Sequence, residues 1–131
     1  MKHSLSFAEI NVLSENISEL IIGQGVVITL EMMEEYDDFL ASIFKDDFGI
    51  LVNKVNHYIY TYEVQLSLAS HPNLKAIAVV NYHEQGKYAT QQIKKNRAMD
   101  KLNIKSFSGL EMGWQQGFTW LQQELAELKV S

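Results

Sequence analysis

Residues 48–55 read FGILVNKV, and this run constrains the fold more than any other stretch of the chain. A strand with one wet face alternates apolar and polar side chains. A run that is apolar at consecutive positions must be covered on both faces. Eight residues are also too few for an ordinary helix. The run therefore predicts a central strand with helices packed on both sides of its sheet. Behind it, residues 56–62 read NHYIYTY, a polar-aromatic segment expected to form a loop leading into a helix. In an open α/β sheet, loops at the carboxyl ends of the strands are where ligands collect. The candidate site residues are accordingly Asn53, Asn56, His57, Tyr58, Tyr60, Thr61 and Tyr62, with Lys54 in the same run. In an extended segment, the alternating Tyr58, Tyr60 and Tyr62 would present three rings on one side. Thr61 has two readings. Its hydroxyl can cap the following helix, or it can accept a phosphate stabilised by the helix dipole.

The flanking sequence supplies the rest of an α/β pattern. Leu5, Phe7, Ile10 and Val12 alternate loosely, predicting a first strand over 5–13 with a register break near Ala8. Residues 14–18 form a turn, and 19–22 return as the second strand of an antiparallel hairpin. Gly23 and Gly25 then mark a tight connection. Thr29 is placed to cap the next helix, and Glu31, Glu34 and Glu35 lie near its positive end. Met33, Tyr36, Leu40, Ile43 and Phe44 form its apolar stripe, and the helix should end near Lys45. A second helix is expected from Thr61 or Tyr62, stopped by about His71 ahead of Pro72. KAIAVVNY (75–82) reads as another buried strand, 87–99 as a helix with a thin apolar stripe, and 103–107 as a short edge strand. Ser108 and Glu111 have capping-box spacing for the last helix. Trp114, Phe118, Leu121, Leu125 and Leu128 form its core stripe. The order is β-β-α-β-α-β-α-β-α, which predicts an α/β fold: a mostly parallel sheet with an antiparallel N-terminal hairpin and helices packed on it. The length of 131 residues, without repeats or linkers, predicts one domain over 1–131.

Several chemistries find no support in the sequence. There is no cysteine, so disulfides and thiolates are excluded, which suits a reducing compartment. The four histidines, His3, His57, His71 and His83, show no metal-ligand spacing, and no metal or cofactor is expected. His57 has no serine or cysteine nucleophile in the usual context beside it, so no enzymatic activity is expected. The adjacent acidic pairs Glu34-Glu35 and Asp37-Asp38 point about 100° apart on a helix and make no acid/base dyad. The GQG of residues 23–25 lacks the third glycine of a dinucleotide loop. The net charge of −5 argues against nucleic acid as a partner. Charge is uneven, with a balance of −6 over residues 31–47 (seven acids, one lysine) and +4 over 84–105 (six bases, two acids). No apolar run approaches the roughly 20 residues of a membrane span, so no integral membrane contact is expected. The N-terminus MKHSLSFAEI has no signal-like apolar stretch, and the expected location is cytoplasmic.

The acidic striped helix after a hairpin, the KAIAVV strand followed by a basic segment, and the ending NIKSFSGLEMGWQQGFTWLQQEL with its Trp120-Leu121 pair resemble the SpoIIAA-like, or STAS, domain family. The resemblance implies a non-enzymatic bacterial-type regulatory module that contacts partner proteins or small ligands, in some members under phosphorylation control. Regulatory members carry an Asp-Ser pair at the start of the second helix. Here the matching region is NHYIYTY, with Asn56 and Thr61 but no such pair. The leading expectation is a regulatory or binding module acting through protein–protein contact, with a homodimer as one form of that contact. The alternative is a carrier of a small apolar or lipid-like ligand between helices and sheet, suggested by Tyr36, Phe39, Tyr58, Tyr60 and Trp114.

Overall fold

The computed structural model describes residues 2–67, 71–83, 91 and 103–130. The run FGILVNKV lies where its composition requires. Strand β5 (Phe48–Lys54) is bordered on both sides by parallel neighbours, β3 (Ile17–Ile22) and β7 (Leu74–Asn81). The six-stranded sheet continues outward through β2 (Ala8–Ser14) to β1 (Lys2–Ser4) on one side and to β8 (Ile104–Ser108) on the other. The β1–β2 and β2–β3 pairs are antiparallel, and the others are parallel. The strand stops one residue short of the apolar run, and Val55 is 44% exposed in the loop beyond.

The sheet carries two separate cores. On one face, Leu20, Ile22, Phe48 and Ile50 pack against Tyr36, Leu40 and Phe44 of helix α1 (Leu30–Ile43) and its C-cap. Val64 of the short helix α2 (Tyr62–Ser67) joins them. On the other face, Ile17, Leu51, Ala76, Ala78 and Val80 meet Leu121 and Leu125 of helix α3 (Gly113–Val130). That face is built from small residues so that the helix can approach closely. A Cβ at Gly49 would lie 3.0 Å from Leu121 Cδ2. Among the described residues no helix is long and apolar enough to cross a membrane.

The expected first strand, 5–13, is extended only from Ala8, as β2, and a further strand, β1, precedes it. The chain bends through Leu5–Phe7, where the Leu5 N–H donates to the Ala8 carbonyl (2.8 Å). Ser6 is tied to α1, its N–H and hydroxyl donating to the two carboxylate oxygens of Glu35. The bend buries Phe7 and lets β1 fold back on β2, so the N-terminal hairpin is a three-stranded meander. Helix α1 begins as expected, with the Met32 N–H donating to Thr29 Oγ1 (3.3 Å). It ends at Ile43, and Phe44 turns extended to stack on Phe48 at 4.8 Å.

The capping box at Ser108 does not form. Ser108 stays in the sheet opposite Asn81, and the chain makes a 3-10 turn over Gly109–Glu111. Met112 takes a left-handed conformation (φ 62°) before α3 starts at Gly113. The stripe beyond buries Leu121 and Leu125 but leaves Leu128 44% exposed. The short edge strand expected over 103–107 is β8. The expected helix over 87–99 falls outside the described residues, apart from the helical Gln91.

Leu121 is fully buried between α3 and the small-residue face of the sheet. Leu121→Ala removes that contact and should lower the unfolding free energy by about 3 kcal/mol. The measurement is the urea midpoint, with an unchanged denaturant slope.

Candidate functional site

The loops leaving β3 and β5 are hydrogen-bonded to each other. Gly25 adopts a positive φ of 76°, which turns the first loop sharply. Its N–H donates to the His57 carbonyl (2.7 Å), and the His57 N–H donates to Gln24 Oε1 (2.9 Å). Two short parallel strands, β4 (Val27–Ile28) and β6 (Ile59–Tyr60), then pair Val27 with Ile59 and Ile28 with Tyr60. The Asn56 amide donates to the Ile22 carbonyl at the end of β3 (2.9 Å). The loop singled out in the sequence is therefore an ordered shelf at the carboxyl edge of the sheet. Sequence reasoning read Gly23 and Gly25 as a plain connection and did not reveal that their segment is the partner of NHYIYTY.

The end of β5 directs its side chains to opposite faces of the sheet. Asn53 lies on the α3 face, where its amide donates to Glu19 Oε2 (3.1 Å) and its carbonyl oxygen accepts from the Tyr82 hydroxyl (2.8 Å). Glu19 is 6% exposed and also accepts from Asn11 Nδ2 (2.7 Å) and Trp114 Nε1 (2.8 Å). This buried carboxylate is satisfied by three neutral donors from β2, β5 and α3, an arrangement that locks the α3 helix start to the sheet. Burial pushes the Tyr82 phenol above its ordinary value, helped by the Glu19 charge and opposed by the bond to Asn53. Asn53 thus belongs to a structural network.

Lys54 lies on the α1 face. It is 9% exposed, and its Nζ sits 4.8 Å from the centroid of the Tyr58 ring. Among the described residues no carboxylate lies within ion-pair distance of it. Burial pulls its pKa below the ordinary lysine value. Directly across the ladder from Lys54 stands Asn81, 7% exposed. Neither polar atom of its side-chain amide has a hydrogen-bond partner.

Lys54 and Asn81 line a cavity of about 500 Å³ at the carboxyl ends of β5 and β7. The β4–β6 loops form its other wall through Val26, Val27, Tyr58 and Ile59. The exposed imidazoles of His57 and His83 stack on each other at its rim, centroids 4.9 Å apart. A second cavity, of about 80 Å³, lies between α1 and the sheet beside Tyr36 and Tyr60.

The expected site residues are therefore dispersed. Asn56, His57 and Tyr58 line the larger cavity. Tyr60 packs edge-to-face on Tyr58 (5.6 Å) and borders the smaller one. Thr61 Oγ1 accepts from the Val64 N–H (3.3 Å), capping α2. Tyr62, at 67% exposure, leaves the row of rings because α2 begins there and the two-residue period ends. Lys54, in the candidate run, is on the cavity wall, whereas Asn81, Tyr82 and His83 were not singled out as site residues in the sequence. The available signal was a polar tail, NYH, closing the next buried strand. Among the described residues no group of three His, Asp or Glu side chains is placed to hold a metal ion.

Compared with models of known protein families, with curated proteins and with solved structures, the chain matches none.

Replacing Glu19 by glutamine turns one acceptor into a donor facing the Trp114 or Asn11 N–H. Glu19→Gln should cost about 2 kcal/mol of stability. It should also shift the tryptophan emission maximum, because the Trp114 indole loses its charged acceptor. Equilibrium urea unfolding followed by fluorescence reads both effects.

Proposed function

We propose that the chain is a non-enzymatic binding module of the SpoIIAA-like kind whose working site is the cavity at the ends of β5 and β7. The observation that carries this reading is the pairing of Lys54 and Asn81. A buried ammonium without a carboxylate and a buried amide with no hydrogen bond both cost stability. Groups kept at such a cost, on the wall of a cavity large enough for a small molecule, are what a binding site needs before its ligand arrives. The apolar space beside Tyr36 measures about 80 Å³, well short of the roughly 300 Å³ of an ordinary ligand pocket, so a lipid-like cargo finds little room there. The test is a fragment screen by nitrogen–proton NMR on the whole chain. Hits should perturb residues 54–58 and 81–83 and lose affinity in Lys54→Met. Absence of hits, or hits confined to other surfaces, would refute the proposal.

One observation favours a protein partner as a second reading. Val27 (47% exposed), Ile59 (62%), Tyr62 (67%) and Leu66 (49%) give β4, β6 and α2 an apolar outer surface. A contact there would lie beside the cavity, as in a module whose partner reads its ligand state. Leu66→Asp, on the exposed side of α2 and away from the cavity wall, should then abolish partner capture while leaving the fold intact.

The cost of Lys54 is itself measurable. Where the ammonium is charged in both folded and unfolded chains, only the folded chain has removed it from water. Lys54→Met should therefore melt at a higher temperature than the unaltered chain in the absence of ligand. The folded-state pKa lies below the unfolded one, so the unfolded chain binds more protons in the window between them. The unaltered chain gains stability as pH rises through that window, and its gap from Lys54→Met narrows as pH climbs toward the ordinary lysine pKa of about 10.

A further inference from the structure

Resting on the small-molecule reading above, we infer that the cavity at the ends of β5 and β7 takes a small organic carboxylate bearing an adjacent hydroxyl and an apolar tail. The charge comes first. Among the described residues, Lys54 is the one cationic side chain on the cavity wall, and it has no carboxylate of its own. A single negative charge on the ligand compensates it. A dianionic phosphate ester would leave one negative charge over with no second ammonium or guanidinium beside it on the described wall. The features that usually hold phosphate, a guanidinium fork or a free helix N-terminus, are missing from the described wall. Among the described residues, the start of α2 already has its Val64 N–H capped by Thr61.

Asn81 specifies the neighbouring group. Its amide offers one unpaired donor and one unpaired acceptor. It stands in register with Lys54 on the adjacent strand, roughly 5 Å away along the sheet. Both amide atoms are closed off from water, so the Asn81 side chain has to turn toward the cavity; a carboxylate oxygen can then bridge Lys54 Nζ and Asn81 Nδ2, and a hydroxyl on the next carbon can donate to Asn81 Oδ1. An ammonium in place of the hydroxyl would bring a second cation against Lys54 and weaken binding. The remaining wall accounts for the tail. Val26, Tyr58 and Ile59 supply apolar surface on the β4–β6 side, and the Tyr58 ring already holds the lysine in place.

The experiment uses four matched probes on the full chain: 3-phenyllactate, its primary amide, phenylalanine and phenyl phosphate. Calorimetry measures affinity, and the Asn81 side-chain amide resonance reports the site. Phenyllactate should bind at least tenfold more tightly than each of the other three and shift the Asn81 amide. Lys54→Gln should weaken it tenfold or more while circular dichroism stays native. Asn81→Leu, similar in volume, should weaken phenyllactate more than it weakens the amide, a split that mere packing would not produce. Equal binding of acid and amide, tighter binding of phenyl phosphate, or indifference to Lys54→Gln would each overturn the ligand class and leave the binding module standing. Failure of all four probes to bind at millimolar concentration would overturn both.

Discussion

The structure depends on a strand with no wet face. β5 is hydrogen-bonded to parallel neighbours along both edges and covered by α1 on one side and α3 on the other. Its backbone groups are satisfied by the sheet, and its side chains leave water together with those of both helices. The same alternation that makes the strand a good core element divides its polar end. Asn53 is committed to one face and Lys54 to the other, because successive side chains on a strand point in opposite directions. One becomes part of a satisfied network around Glu19. The other is left as an isolated charge on a cavity wall.

The contrast between these polar groups separates a structural fastening from the groups proposed to bind. Glu19 has three donors converging from separate elements and behaves as a fastening between β3, β2, β5 and α3. Lys54 and Asn81 are nearly as deeply buried and have no comparable partners. A fold under selection for stability alone would replace them with apolar residues of similar size. The shelf opposite them is held rigid by the β4–β6 pairing and the bonds from Asn56 and Gln24. A ligand entering the cavity would thus meet walls already in place, and little of its binding energy would go into ordering them.

Much of the architecture was legible in the sequence. Wherever a local signal was strong and had no competitor, it predicted the right element. Examples are the apolar run of β5, the Thr29 cap and stripe of α1, and the β-branched run of β7. Where a local signal met a tertiary demand, the tertiary demand prevailed. Ser108 had the spacing of a capping box, yet its backbone was taken by the ladder with Asn81. Residues 5–13 had the alternation of one strand, yet burying Phe7 and binding Ser6 to Glu35 turned residues 5–7 into a bend ahead of β2.

The site followed the same division. The sequence by itself determined that a polar segment would leave a buried central strand at the carboxyl edge of a mostly parallel sheet, because consecutive apolar residues admit few other placements. It did not determine which side chains would face one another there. Lys54 and Asn81 are 27 positions apart in the chain (81 − 54) and are neighbours only through the register of two parallel strands. His57 reaches His83, and Gly25 reaches His57, only because two loops of different origin zip together. Those contacts are set by register and loop pairing, which come from the packing of the whole molecule rather than from any local pattern.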